Sequence, residues 1–158
     1  MATECSLAQI LVQTASIVVG WIVVHKLSTA RELDKARREM LAKATDSLSS
    51  DVTNILGSAL KYHTTPRNTE VEQSLKMTLQ DISGRVGLLS EVSNNVAEIR
   101  QCRAAIVSLK KSVTGSHFED EHDTPMAEGT QQIQAIAADA LRLRQCFQKL
   151  KQRQLPSQ

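Results

Sequence analysis

Few side chains in this sequence are of types that do chemistry, and their spacing decides how they are read. His117 and His122 stand among Glu119, Asp120, Glu121 and Asp123, all ligand types for a divalent cation. The spacing matches neither a zinc motif nor the twelve-residue calcium loop, so the segment reads as a solvated acidic loop and no metal is assigned. Cys5, Cys102 and Cys146 are too far apart for a metal-binding pair or a secreted disulfide framework, a balance that fits a reducing compartment. Cys102 with a distant His and Asp is not a triad by spacing. Cys146 falls on an apolar stripe, so a packed thiol is its expected role. Gly84 and Gly87 lack the strand-to-helix context of a phosphate loop. No catalytic residue and no cofactor emerge, and the chain reads as a protein without enzymatic activity.

Composition says which elements must hold these residues. Aromatics are limited to Trp21, Tyr62, Phe118 and Phe147, and only Pro66, Pro125 and Pro156 break structure. Helices packed through Leu, Ala, Val and Ile are therefore expected, not sheets. A formal net charge of +2 does not point to nucleic acid. Neither basic stretch is interleaved with aromatics as in single-strand binding surfaces, so no nucleic-acid partner is expected.

The stretch TASIVVGWIVVHKLSTARELDKARREM, Thr14 to Met40, passes from an apolar run into charge-dense helix with no turn signal. No charged residue occurs from Cys5 to Val24, about 30 Å of helix, enough to cross a hydrocarbon core. Lys26, Arg31, Lys35, Arg37 and Arg38 follow, so the positive-inside bias makes the C-terminal body cytoplasmic. Residues 1–26 are read as a single-pass transmembrane anchor with the lipid bilayer as partner. A cleavable signal peptide is the first rival, but it lacks a basic start. The buried helix of a soluble bundle is the second. Gln9, Gln13, Ser16 and Gly20 share one helix face by their spacing, and Ser16 with Gly20 forms a small-xxx-small pair. Together with Trp21, which suits an interfacial aromatic, they mark an expected self-association face and imply a homo-oligomer.

From Leu27 the apolar positions recur at helical spacing: Leu33, Ala36, Met40, Ala44, Leu48, Val52, Ile55, Ala59 and Tyr62. Pro66 ends this segment, and either Thr65 or Thr69 caps the next helix. Leu75, Leu79, Ile82, Val86 and Leu89 keep a four-three-four-three seam. Val92, Val96, Ile99, Ile106 and Val113 then continue it after a stutter-like change of phase. A polar linker over 114–126 precedes an amphipathic helix over 127–152, with Ile133, Ile136, Ala137, Ala140, Leu143, Phe147 and Leu150 on its face and a disordered tail at 153–158. The C-terminal LRLRQCFQKLKQRQ is mildly basic, but the bundle needs its apolar face.

The expected fold is all-α: an N-terminal transmembrane helix over 1–26 continuing into a long antiparallel hairpin over 27–113, closed as a three-helix bundle with coiled-coil-like seams. The expected function is a membrane-anchored scaffold or adaptor that self-associates and binds an unknown protein partner. The alternatives are an oligomerising effector or pore-complex component and, with opposite topology, an extracytoplasmic coiled-coil bridge.

Overall fold

The structure is a computed structural model; it describes the backbone of residues 2–115, 118–119, 125–127 and 129–153, and within those ranges the side chains from residue 18 onward. Four helices follow one another: α1 (Ala2–Thr64), α2 (Thr69–Val92), α3 (Val96–Val113) and α4 (Gln131–Gln152). The chain divides into two compact units, Met1–Arg37 and Arg38–Gln158.

The second unit is a four-helix bundle. In α1 the buried positions Leu41, Thr45, Leu48, Val52, Ile55, Ala59 and Tyr62 form an alternating four-three seam, with His63 buried beside its end. Leu75, Leu79, Ile82, Val86 and Leu89 of α2 are buried as their spacing predicts. Ile99, Cys102, Ile106, Leu109 and Val113 of α3 join one core with Ile136, Ala140, Leu143, Phe147 and Leu150 of α4. The side chains between helices give the topology. Arg85 of α2 donates to Asp51 Oδ2 at 2.6 Å and Ser47 Oγ at 2.8 Å on α1, and Tyr62 meets Glu72. Arg103 of α3 donates to the Gly87 carbonyl at 3.1 Å on α2. Lys151 of α4 reaches both carboxylate oxygens of Asp46 on α1, at 2.7 and 2.8 Å. These pairings describe an up-down-up-down bundle in which α3 and α4 pack most closely.

Backbone chemistry at the turns explains where the helices stop. Pro66 has no N–H and disfavours helix at Thr65, so α1 ends there. The cap of α2 is Asn68, not Thr65 or Thr69: its Oδ1 accepts from the Glu70 and Val71 N–H groups at 3.0 and 3.2 Å. Between α2 and α3 the expected change of phase is instead a reversal. Ser93 is extended (φ −117°, ψ 134°), its N–H closes on the Leu89 carbonyl, and its hydroxyl accepts from the Asn95 N–H at 3.2 Å. Ser-Asn-Asn favours side-chain-to-backbone bonds over helix, so the hairpin turns where one continuous helix was expected. The three-helix expectation is thereby corrected to four. A Cβ at Gly115 would meet the end of the Gln132 side chain, whose Nε2 donates to the Ser112 carbonyl at 2.9 Å, so a substitution there displaces that amide.

The membrane expectation is also corrected. Among the described residues, no helix is long and apolar enough to cross a membrane. That finding overturns the transmembrane segment over 1–26, the lipid bilayer as partner, the single-pass topology with a cytoplasmic body, and the membrane-anchored and pore-complex functions. Gln9, Gln13 and Ser16 lie outside the residues whose side chains are described.

Burial separates the costs of substitution. Leu79→Ala, in the core, is expected to lose about 3 kcal/mol of unfolding free energy. Asn68→Ala, removing a cap that serves two N–H groups, should lose about 1 kcal/mol, and exposed Met77→Ala less than about 0.5 kcal/mol. Denaturant unfolding followed by circular dichroism measures all three, and the order Leu79, Asn68, Met77 is the outcome to check.

Candidate functional site

Polar side chains gather at the bundle end where α1 runs into α2. Tyr62 sits in the last turn of α1 and Glu72 in the first turn of α2, so the tight connection carrying Pro66 brings them together. Glu72 is 6 % exposed. Its Oε2 accepts from Tyr62 Oη at 3.3 Å and Arg67 Nε at 3.2 Å, and its Oε1 accepts from Lys76 Nζ at 3.4 Å. Lys76 also pairs with Glu119 and lies 5.6 Å from the Phe118 ring centroid. The Glu119 N–H donates back to Tyr62 Oη at 3.4 Å, with Glu119 held in the left-handed region at φ 69°. Phe118 and His63 pack on the Tyr62 ring, each with centroids 5.1 Å apart. His63 is buried, and its Nε2 lies 3.0 Å from the Val113 carbonyl, which makes Nε2–H the donor.

The chemistry of this cluster is that of a clasp. The Glu72 carboxylate gains from the α2 N-terminus and from two cations, which offset its desolvation. Burial, followed by the Glu72 charge and hydrogen bond, raises Tyr62 above its ordinary 10.0, so the phenol is neutral and serves as a donor, not a base. Four elements are joined: the end of α1, the start of α2, the segment after α3 and, through the Met126 N–H on the His63 carbonyl at 2.7 Å, the segment before α4.

A second feature runs along the α3–α4 seam. A groove enclosing about 410 Å³ is lined by Gln101, Ala105 and Ser108 of α3 and by Arg142, Cys146 and Lys149 of α4. Cys102 lies behind it, fully buried, while Cys146 is half-buried against the core. Burial first, then Cys146, pushes the Cys102 thiol up to about 12.

The residues singled out from the sequence lie elsewhere. Gly20 and Trp21 are exposed on α1 in the first unit, where Trp21 stacks on His25 at 5.3 Å between centroids. Lys26, Arg31, Lys35 and Arg37 are exposed in the same unit, whereas Arg38 is half-buried in the second. His117, His122, Asp120, Glu121 and Asp123 lie outside the described residues, and among the described residues no group of three or more His, Cys, Asp or Glu is placed to hold a metal. The Tyr62–Glu72 cluster was missed because its members stand ten residues apart across a turn. The usable signal was Glu72, at a seam position three residues before Leu75.

No protein-family model, no curated protein and no solved structure matches this chain. A function must therefore come from the residues themselves.

Tyr62 is the sole tyrosine, so alkaline absorbance titration reads this cluster alone. The midpoint should lie above 10.0, return to the ordinary value in denaturant, and fall part of the way in Glu72→Gln. Below pH 10 the phenol is neutral in folded and unfolded chains alike, and its contribution to stability is fully present. Above that the unfolded chain loses its proton first, so the contribution fades as pH rises through the folded value. Tyr62→Phe should remove that alkaline loss.

Proposed function

We propose that this chain is a non-catalytic interaction module that works by protein–protein contact and assembles with a second copy of itself through the apolar run of α1. One observation carries the reading: Val18, Val19, Trp21, Ile22, Val23, Val24 and Leu27 are all exposed, Trp21 at 67 %. These side chains point in every direction around the helix, and an apolar surface of that kind marks a site of association. Gly20 lies in the middle of the run, and a Cβ there would meet nothing within 4 Å. Its own chain makes no use of the missing side chain, whereas a second helix approaching closely would. The non-catalytic reading is supported by the Tyr62–Glu72 cluster, where the carboxylate and the phenol are held in mutual pairs. Gly20 and Trp21, singled out from the sequence, then belong to assembly.

Trp21 is the only tryptophan and reports on this surface directly. Light scattering on the full chain should show mass rising with concentration while the Trp21 emission shifts to the blue. Ile22→Lys and Gly20→Leu should each weaken assembly about tenfold or more, near 1.4 kcal/mol, with helicity unchanged. Gly20→Leu is the sharper of the two, because replacing glycine favours the helix itself. Mass and emission independent of concentration would end the proposal, as would two variants that assemble like the natural chain.

A further inference from the structure

The α3–α4 seam holds two thiols in different surroundings. Its register is fixed near both ends: Gln132 donates to the Ser112 carbonyl at 2.9 Å, and Arg153 pairs with Glu98. Antiparallel packing between those anchors sets Cys102 level with the part of α4 that carries Cys146. The two helices are the most closely packed pair of the bundle, with Ala105 and Ala140 keeping their buried faces small. Close approach is what a disulfide needs, since its Cα atoms must stand about 4.4–6.8 Å apart. Their access differs as well. Cys102 is sealed in the core and keeps its proton, with its thiol pushed up to about 12 by burial and by Cys146. Cys146 lines the groove, where Arg142 and Lys149 stand one turn to either side of it. The groove gives an oxidant a path to the Cys146 side chain that the buried Cys102 lacks.

We propose that Cys146 is a modification site for a hydroperoxide and that Cys102 is the thiol that resolves it. In the first step the Cys146 thiolate attacks the distal peroxide oxygen. The O–O bond breaks, an S–O bond forms, and the leaving alkoxide or hydroxide takes a proton and departs as an alcohol or water. Sulfur is oxidised to the sulfenic acid and the peroxide is reduced. In the second step Cys102 sulfur attacks Cys146 sulfur, an S–S bond replaces the S–O bond, and the Cys102 proton leaves with the hydroxide as water. The product ties α3 to α4 across the segment that connects them, and a dithiol reductant restores both thiols.

The test uses the full chain carrying Cys5→Ser, so that only these two thiols remain. Hydrogen peroxide should take the thiol titre from two to none and lower the mass by two hydrogens. Peptide mapping should find Cys102 joined to Cys146 within one chain, and the thermal midpoint should rise until reductant is added. With Cys102→Ala added, Cys146 should stop at a sulfenic acid trapped by dimedone and then over-oxidise. With Cys146→Ser added, the remaining thiol should not react. Sulfinic acid or an unchanged mass in the two-thiol chain overturns the proposal, as does a link between chains in place of the internal one. Equal oxidation of the Cys146→Ser chain overturns it too.

Discussion

Seven seam positions of α1, from Leu41 to Tyr62, are buried at alternating intervals of four and three, and α2 to α4 bring stripes of similar width. No helix can hide such a stripe on its own surface, so the four must close around one core. Most other features follow from the need to bring these stripes together in one register. A polar group inside the seam is tolerated only where its bonds are internal. Thr45 is buried at a seam position, and its hydroxyl donates to the Leu41 and Ala42 carbonyls, each at 2.9 Å.

The ends of the bundle solve the same problem with charge. Glu72 lies in the first turn of α2 and Glu98 in the first turn of α3, and both are buried. Since α2 and α3 run oppositely, these carboxylates stand at opposite ends, each favoured by the positive end of its helix. Each also takes a cation from outside its first turn: Arg67 and Lys76 for Glu72, and Arg153 for Glu98. A buried carboxylate stripped of such partners is strongly unfavourable. Register is fixed this way where an apolar seam alone allows sliding by one heptad, and the ion pairs between Arg85 and Asp51 and between Lys151 and Asp46 add fixed points along α1.

What the sequence makes legible is the periodic part. Leu75 to Leu89 and Ile136 to Leu150 occupy the core because helix geometry forces evenly spaced apolar residues onto one side. The failures occur where one local bond decides. Ser93-Asn94-Asn95 reads as a change of phase if the helix is assumed to continue, yet Val96, placed on the continued seam, is exposed because the chain has reversed. Met40 was expected on the α1 face and is 58 % exposed, while its neighbour Leu41 is buried, a one-residue error that period alone does not resolve. The membrane reading failed for a different reason. It took its length from residues 5–24, whereas among the described residues no helix is long and apolar enough to cross a membrane. The thiol pair was invisible because 44 positions separate its members, and only the register of α3 on α4 relates them.

The α1 run from Val18 to Leu27 is not a continuation of the bundle seam. Carried backward from Leu41 in steps of three and four, the seam meets Arg38, Asp34 and Arg31, so the apolar surface that builds the bundle stops before it. Under the proposed self-association the run supplies the contact between chains, and its size bounds the strength of that contact. Full burial of such side chains gives about 1.5–3 kcal/mol each, so covering half of seven on each of two chains yields on the order of 10–20 kcal/mol. Lost rigid-body freedom takes back about 4–15 kcal/mol. The two ranges overlap, so burial of this size can offset the cost of bringing two chains together. One more charge in the run tips that balance toward the separate chains, and one more apolar contact tips it toward the pair.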